Sequence, residues 1–176
     1  EFGILDYCGF EKDEAYYLKS WWTKEPVLNI FPHWNLEGHE GEEVEIWAYS
    51  NMDEVELIVN GKKLERKSMP KNGHLSWKAI YQPGKVKAIG YKNGRKVQEE
   101  TIYTTGAPAS IKVNADRTTI KADNQDVAVL TVSTYDKKGR LVPTACEEID
   151  IEITGEGRIL GVGNGDPANL DPEHPA

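Results

Sequence analysis

The sequence predicts a mainly β protein of antiparallel β-sandwich type, and three observations lead to this fold class. In residues 55–59, Val, Leu and Val alternate with Glu and Ile, which is the period of a half-buried strand. Asn60-Gly61 follows directly and supplies the two left-handed residues of a tight hairpin turn. Similar runs recur between turns rich in Gly, Asn and Asp, and little after Trp22 has the pattern of a helix.

The composition excludes several classes of protein. The 176 residues suffice for one large domain or two small ones, and 39% hydrophobic with 28% charged residues is typical of a globular protein. No apolar run approaches the roughly 20 residues that a membrane helix needs. The net charge of −8 is spread along the chain, which argues against binding to nucleic acid. We therefore expect neither a nucleic-acid nor a membrane partner.

The first predicted element is a short helix near the start of the chain. Asp13 is its expected N-cap, and an aromatic-rich apolar stripe follows. The stripe consists of Ala15, Tyr16, Tyr17, Leu18, Trp21 and Trp22. A helix of roughly two to three turns does not bury so much aromatic surface by itself. It therefore packs on the β domain that follows, or its natural partner is absent.

A first β module is predicted between residues 27 and 103. Its candidate strands are 43–50, 54–60, 62–68, 74–81, 85–92 and 95–103, and its turns contain Asn51, Asn60-Gly61, Asn72-Gly73, Pro83-Gly84 and Asn93-Gly94. Strands at this spacing, joined by such turns, are typical of an antiparallel sandwich. The residues expected on its core faces are Val44, Ile46, Ala48, Leu75, Trp77, Ala79, Val86 and Ala88.

A second β module is predicted after a linker at residues 104–108. Its candidate strands are 110–115, 126–135, 148–154 and 158–162, and in the third of them Ile alternates with Glu and Asp. Residues 163–167 are expected to form a loop with nothing strand-like after it. Because four strands are few for a closed sandwich, we expect this module to be incomplete.

The cysteines and the acidic stretches do not predict a metal or cofactor site. Cys8 and Cys146 are far apart and lack metal-ligand spacing, so we expect two separate, buried or half-buried thiols rather than a disulfide. Two stretches offer oxygen ligands, namely Asp123, Asn124 and Asp126, and Asn164, Asp166 and Asp171. Neither has the spacing of a calcium loop, and Asn and Asp are turn formers first. We expect no cofactor.

Aromatic residues that lie off the core faces form a candidate binding surface. Trp47 and Tyr49 project from their strand on the side opposite Ile46 and Ala48, and Tyr91 also lies off the predicted core faces. Such a surface either docks a neighbouring domain or binds a sugar, whose ring has apolar faces edged by hydroxyl groups. A third alternative is that the predicted strand phases are shifted.

Several short motifs then follow one another along the chain. The first are Phe2-Gly3-Ile4-Leu5-Asp6-Tyr7-Cys8-Gly9-Phe10-Glu11-Lys12-Asp13, Tyr16-Tyr17 and Trp21-Trp22. They resemble the end of the catalytic barrel in glycoside hydrolase family 2, where the last barrel strand leads into the final helix. The next are His33-Trp34-Asn35, Val55-Glu56-Leu57, Asn60-Gly61-Lys62, and Trp77 with Tyr81-Gln82-Pro83-Gly84. They resemble the β domain after that barrel in the β-galactosidase-like branch.

The last motifs are Asp136-Lys137-Lys138-Gly139 and Gly163-Asn164-Gly165-Asp166-Pro167, which are similar to bacterial immunoglobulin-like domains further along the same enzymes. The whole resemblance implies two immunoglobulin-like antiparallel β-sandwich modules, preceded by a short helical remnant of a (β/α)8 barrel. The implied domains are 1–25 for the last loop and helix of the barrel, 26–105 for the first β-sandwich, and 106–176 for a second, truncated β domain.

The resemblance also implies a function. The parent protein is expected to be a bacterial, retaining glycoside hydrolase that cleaves β-galactosides or related β-linked sugars with two glutamates on earlier barrel strands. No acidic residue here matches either glutamate motif, so no catalytic residue is assigned and the chain by itself is expected to be inactive. The implied partners are carbohydrate, bound by the parent enzyme, and the catalytic barrel. Self-association is also expected, as is a periplasmic or extracellular location.

Two residues are candidate neighbours of the substrate in the intact enzyme. His33 and Trp34 come just after the barrel-like segment, although packing at the domain junction is the alternative. A function of a different class is also considered, a stand-alone carbohydrate-binding or adhesin-type β-sandwich module. The aromatic helix distinguishes the two functions, because the outer helix of a barrel uses such a stripe and an adhesin does not.

Overall fold

The structure is a computed structural model that describes residues 3–166 and 168–170. It is mainly β, with antiparallel sheets in β-sandwich-like modules and one short helix, α1 (Asp13–Trp22). The strands are β1 (Leu28–Phe31), β2 (Glu43–Ser50), β3 (Glu54–Val59), β4 (Lys62–Lys63), β5 (Lys67–Ser68), β6 (Leu75–Ile80), β7 (Lys85–Lys92), β8 (Arg95–Tyr103), β9 (Pro108–Ala115) and β10 (Leu130–Asp136). Within the described part of the chain, no helix is long and apolar enough to cross a membrane.

Helix α1 forms where the sequence predicts it, but its cap differs from the prediction. Lys12 occupies the N-cap position and Asp13 is the first helical residue, so the prediction that Asp13 caps the helix was wrong. The Asp13 carboxylate instead accepts a hydrogen bond from the side-chain amide of Asn29, at 3.2 Å. Asp13 and Glu14 in the first turn and Lys19 in the last turn complement the helix dipole.

Two sheets pack face to face and enclose the main core. One sheet has the order β1-β2-β6, and the other has the order β4-β3-β7-β8 with β5 also paired to β3. Every pairing is antiparallel. Side chains that alternate along the strands meet between the sheets, and the buried set is Leu28, Ile30, Trp34, Ile46, Ala48, Val55, Leu57, Val59, Leu75, Trp77, Tyr81, Val86 and Ala88.

The turns of this sandwich confirm the hairpin chemistry of the sequence. Asn60 and Gly61 have φ of 49° and 85°, and Asn93 and Gly94 have φ of 52° and 73°. Both pairs therefore occupy the left-handed region that a tight hairpin turn requires. The predicted strands 43–50, 85–92 and 95–103 coincide with β2, β7 and β8. The predicted strand 62–68 is divided, because β4 and β5 pair with opposite ends of β3.

The second module contains fewer strands than predicted. Strands β9 and β10 form a two-stranded antiparallel sheet. The predicted strands 148–154 and 158–162 were wrong, since residues 137–166 and 168–170 contain no assigned strand. The alternating isoleucines Ile149, Ile151 and Ile153 are exposed. An alternating pattern forms a stable strand only when a neighbouring strand pairs with its backbone and a layer covers its apolar face.

Candidate functional site

An aromatic cluster covers the outer face of the three-stranded sheet. Trp47 and Tyr49 of β2 point away from the core, and Phe31 of β1 lies between them with ring centroids 5.9 Å from Trp47 and 4.9 Å from Tyr49. The imidazole of His74 stacks on the Trp47 indole, with centroids 3.9 Å apart and planes inclined by 9°. Cross-strand aromatic pairs of this kind stabilise the sheet.

Helix α1 packs on one end of this aromatic cluster. The centroid of the Tyr17 ring lies 5.2 Å from that of Tyr49 and 6.0 Å from that of Trp21. The Tyr17 hydroxyl donates to the Asn72 carbonyl at 3.3 Å. Burial beneath the helix raises the pKa of the Tyr49 phenol, and the nearby acidic residues of the helix raise it further. At the other end of the cluster, Trp47 is half-buried and His74 is exposed.

Tyr91 lies on a different surface from Trp47 and Tyr49. It belongs to β7 and points outward from the second sheet, with Glu54 of β3 as its cross-strand partner. Its hydroxyl donates to the Glu56 carboxylate at 3.0 Å, and the Arg66 guanidinium lies 3.6 Å from its ring centroid. Burial, followed by the hydrogen bond to Glu56, raises the pKa of Tyr91. The structure therefore does not bring the three predicted aromatic residues together.

The two candidate substrate neighbours differ in accessibility. Trp34 has no exposed surface, and its indole N–H donates to the Gln82 carbonyl at 3.1 Å. The Trp34 and Tyr81 rings pack edge to face, with their centroids 5.0 Å apart. His33 is exposed, and its Nδ1 atom accepts a hydrogen bond from the Asn35 backbone N–H at 3.2 Å. Trp34 is thus a core residue in this chain, while His33 presents its ring to the surface.

The segment after Trp34 holds one side of the predicted linker. Asn35 donates through its side-chain amide to the Thr105 hydroxyl at 2.6 Å and accepts from the Thr105 backbone N–H at 2.9 Å. The Thr104 hydroxyl donates to the Trp34 carbonyl. Together with two further hydrogen bonds between Thr104 and Gly84, these contacts fasten residues 104–105 to the first module.

The second module holds the opposite side of the same linker. The buried Asp136 carboxylate accepts from the Gly106 backbone N–H at 3.1 Å, and from the backbone N–H groups of Lys138 and Arg140. These hydrogen bonds, that of Arg140 first, lower the pKa of Asp136. The Arg140 guanidinium donates to the Thr104 carbonyl at 3.3 Å and lies 4.2 Å from the Tyr103 ring centroid. We call residues 103–106 with these partners the junction.

Apolar side chains remain uncovered at the start of the described chain. These are Ile4, Leu5, Tyr7, Phe10 and Trp22. The fractions of Tyr7 and Trp22 that are exposed reach 76% and 79%, although large aromatic residues are usually well covered in a folded protein. A shallow groove beside α1 is lined by Ile4, Leu5, Glu11, Ala15, Leu18, Lys19, Trp22 and Thr23. We call this region the docking surface.

One carboxyl group, that of Glu100, has a strongly raised pKa. Glu100 of β8 pairs with the core residue Ala88, and burial raises its pKa to about 7, with a further contribution from the charge of Asp13. A hydrogen bond from the Ile30 backbone N–H partly offsets this rise in pKa. The Oε2 atom of Glu100 is buried and has no hydrogen-bond partner among the described residues. Because Glu100 is half-buried and its Oε2 atom is inaccessible, we relate its raised pKa to stability rather than to catalysis.

The predicted oxygen-rich stretches serve as turns. Asp123 accepts from the backbone N–H groups of Gln125 and Asp126, each at 2.9 Å, and the Asp126 bond is the main reason why its pKa is lowered. Asp171 lies outside the described residues. Across residues 3–166 and 168–170, no group of three His, Cys, Asp or Glu side chains is arranged to hold a metal ion. Cys8 and Cys146 are free as predicted, but both are exposed rather than buried or half-buried.

Comparison with known proteins places these features in a family. Residues 41–98 match a domain of unknown function, DUF4982, and residues 111–176 match the glycoside hydrolase family 2 C-terminal domain 5. A β-galactosidase of Bacteroides ovatus is 42% identical over 173 residues, which make up 97% of this chain and 20% of that protein. This chain is homologous to the C-terminal region of family 2 glycoside hydrolases.

Other relatives of this glycoside hydrolase region agree. A putative β-glucuronidase of Formosa agariphila is 30% identical over 97% of this chain and 17% of that protein. A β-glycosidase crystal structure from Bacteroides vulgatus superposes with a TM-score of 0.92, at 33% identity, over 98% of this chain and 22% of that chain. A family 2 β-glucuronidase structure gives a TM-score of 0.70, at 34% identity, over 81% and 15%. The chain thus spans about a fifth of the length of the curated relatives that it matches.

Several residues of this family 2 region were not predicted from the sequence. Strand β1 was not predicted, so Phe31 was not recognised as part of the aromatic cluster, although apolar Leu28 and Ile30 alternate there. The junction residues Asp136 and Arg140 come from the turn motif at 136–139 and from the residue after it, and no sequence signal pairs them with residues 104–106. Tertiary contact alone identifies these partners.

Proposed function

We propose that this chain is the non-catalytic C-terminal accessory portion of a glycoside hydrolase that cleaves β-galactosides or related β-linked sugars. Two relatives support the substrate class, since one is a β-galactosidase and another a putative β-glucuronidase. A retaining glycosidase needs two carboxyl groups about 5–5.5 Å apart on either side of the scissile bond. In the proposed enzyme these groups belong to the catalytic barrel.

The proposal divides the chain into three parts. Residues 1–25 form the last loop and helix of a (β/α)8 barrel, residues 26–105 an accessory β-sandwich, and residues 106–176 an immunoglobulin-like β domain. The exposed His33 is retained as the candidate neighbour of the substrate, because it follows the barrel segment directly and its ring is accessible. Trp34 instead packs in the core of the accessory β-sandwich, and its carbonyl accepts a hydrogen bond from the Thr104 hydroxyl.

The observation that carries the proposal is the docking surface. Exposed apolar patches of this kind mark interfaces with other proteins or domains. Tyr7 and Trp22 are largely exposed on the same segment from which Tyr17 packs against the sandwich. A helix with apolar side chains on two faces is expected where it lies between two layers. We assign the catalytic barrel of the same enzyme as the second layer.

The test compares this chain with the full-length enzyme on chromogenic aryl β-galactosides and β-glucuronides. We expect turnover by the full-length enzyme and background rates for residues 1–176. Turnover well above background by the 176-residue chain would contradict the accessory role. A full-length enzyme that cleaves none of these glycosides would contradict the proposed substrate class.

A second function is favoured by one observation, the Trp47–His74 stack at the accessible end of the aromatic cluster. A stand-alone carbohydrate-binding or adhesin-type module would use Trp47 as a platform for the apolar face of a sugar ring. Calorimetric titration of residues 1–176 with galactans and xyloglucan tests this function, with Trp47→Ala as the control. Heat that disappears in Trp47→Ala supports the binding module, and no heat at millimolar sugar excludes it.

A further inference from the structure

The loop that precedes α1 is held in a fixed shape by its own hydrogen bonds. Leu5 and Glu11 form a β-bridge at its base. The Asp6 carboxylate accepts from the backbone N–H groups of Cys8 and Phe10 at 2.9 Å and 2.8 Å, and the Asp6 backbone N–H donates to the Phe10 carbonyl at 2.9 Å. We call residues 5–11 the entry loop. Its shape is set locally, so a segment that packs on it has a defined surface to meet.

A glycine-rich segment from the other end of the chain packs on the entry loop. A Cβ atom at Gly163 would lie 3.0 Å from the Cys8 sulphur, and a Cβ atom at Gly165 would overlap the Asp6 carboxylate. Gly165 also has a φ of +72°, which disfavours other residues. We call residues 163–166 the glycine loop. Glycine is needed here because the backbone approaches the entry loop so closely.

The glycine loop presents two polar side chains beside this contact. Asn164 uses its Oδ1 atom to accept from the Asp166 backbone N–H at 3.0 Å, and Asp166 uses its Oδ1 atom to accept from the Ala168 backbone N–H at 2.8 Å. Both residues are exposed. The Asn164 amide nitrogen and the second Asp166 oxygen have no partner among the described residues. An amide donor and a carboxylate acceptor are the groups that hydrogen-bond sugar hydroxyls.

We infer that Asn164 and Asp166 bind the sugar substrate of the proposed glycosidase and help to determine its specificity. The inference rests on the proposed function, in which the entry loop joins the last barrel strand to α1. Active sites of (β/α)8 barrels lie on the face built by such strand-to-helix loops. The glycine loop packs on one of these loops, so its polar side chains stand at the rim of the substrate cleft. In the proposed enzyme, Asn164 and Asp166 of the second module thereby contact the substrate that the barrel cleaves.

The contact between the two loops is tested by crosslinking in the 176-residue chain. In a Cys146→Ser background, Gly163→Cys places a new thiol next to Cys8, within reach of an S–S bond of about 2.05 Å. Diamide takes up the two electrons and two protons that the two thiols lose. We expect it to form a disulfide between Cys8 and the new cysteine, which peptide mapping would detect. Gly157→Cys is the control, because its Cβ would face Ile153 instead. Equal crosslinking in both variants, or none in Gly163→Cys, overturns the inference.

The role in substrate binding is tested in the full-length enzyme with Asn164→Asp and Asp166→Asn. Both variants keep the Oδ1 atom that accepts the hydrogen bond within the loop. They change only the other terminal atom of the side chain, which is the one available to the substrate. We expect KM for an aryl β-galactoside to rise about three- to ten-fold with kcat nearly unchanged, the size of one lost hydrogen bond. Asp123→Asn, in a turn of similar geometry, is the matched control with unchanged KM.

The outcomes separate this inference from the proposed function. Turnover by the full-length wild type with unchanged KM in both loop variants overturns the inference and leaves the proposed function intact. Absence of turnover by the full-length wild type overturns the proposed function and the inference with it. Retention of the crosslink in that case would show that the loops meet for a structural reason.

Discussion

Glu100 is a carboxyl group whose protonation is linked to folding. Its pKa in the folded chain is raised from the ordinary value of 4.5 to about 7, chiefly because it is buried. The stabilising contribution of protonated Glu100 is therefore fully present below pH 4.5 and is lost as the pH rises through 7. The shift corresponds to at most about 3 kcal/mol of unfolding free energy. Stability of this chain is expected to fall over that pH range.

Replacing Glu100 by Gln should remove this pH dependence. The Gln side chain keeps an acceptor for the Ile30 backbone N–H but carries no charge to bury. At pH 8 we expect Glu100→Gln to be more stable than the wild type by about 1–3 kcal/mol, and at pH 5 by less than about 1 kcal/mol. Urea unfolding of residues 1–176 at both pH values measures the difference.

The neighbouring residue provides the control for this experiment. Glu99 is paired with Lys87 and Lys96 on the outer face, and these hydrogen bonds lower its pKa. Glu99→Gln should therefore not stabilise the chain at pH 8. An equal gain in both variants would mean that overall negative charge, rather than burial of Glu100, sets the pH dependence.

At the scale of single elements, α1 depends on the sandwich for its position. Its hydrogen-bonded length is only ten residues, which is marginal for a helix in water. Tyr17 connects it to Tyr49 and to the Asn72 carbonyl, whereas Trp22 points away from the sandwich. One face of the helix is therefore stabilised within this chain, and the other face is left for the barrel in the proposed enzyme.

Tyr17→Ala should loosen α1 from the sheet. The loss of a half-buried aromatic ring and one hydrogen bond is expected to lower the unfolding free energy by about 1–3 kcal/mol. Urea unfolding followed by tryptophan fluorescence measures the change, with Trp22→Ala as a control on the same helix. Because Trp22 is largely exposed, its removal should cost less than about 0.5 kcal/mol. Equal losses would mean that the Tyr17 contacts do not hold the helix.

At the scale of the whole molecule, the junction decides how the two modules are connected. The predicted linker at 104–108 is fixed from both sides, by Asn35 of the first module and by Asp136 and Arg140 of the second. A linker with so many backbone partners behaves as a rigid connection rather than a hinge. The proposed reach of the glycine loop to the entry loop depends on this rigidity.

Arg140→Ala should open the junction without unfolding either module. It removes the hydrogen bond to the Thr104 carbonyl and the cation–π contact with Tyr103, together about 1–2 kcal/mol. The open population, and with it the rate of proteolytic cleavage within 103–108, should therefore rise roughly ten-fold. Arg117→Ala is the matched control, since within the described part of the chain Arg117 pairs with the exposed Asp116 and the half-buried Asp126, away from the junction. Cleavage rates that match the control would contradict a role for Arg140 in the junction.

The sequence by itself determined the local features of this protein. Strand periodicity located β2, β7 and β8, and Asn60-Gly61 and Asn93-Gly94 fixed hairpin turns, because these signals act between residues close in the chain. The motif order also indicated the glycoside hydrolase family. The alternating isoleucines at 149–153 gave a wrong strand prediction, because a strand also needs a neighbouring strand to pair with, and the pattern does not specify one.

Only the tertiary structure decided which distant residues meet. It separated Tyr91 from Trp47 and Tyr49, because residues with the same inward–outward phase lie on the outer faces of two different sheets. It also brought Arg140 to Tyr103, and it placed the glycine loop on the entry loop. Contacts of this kind depend on how sheets and loops pack in space, and no periodicity in one stretch of sequence encodes the partner in another.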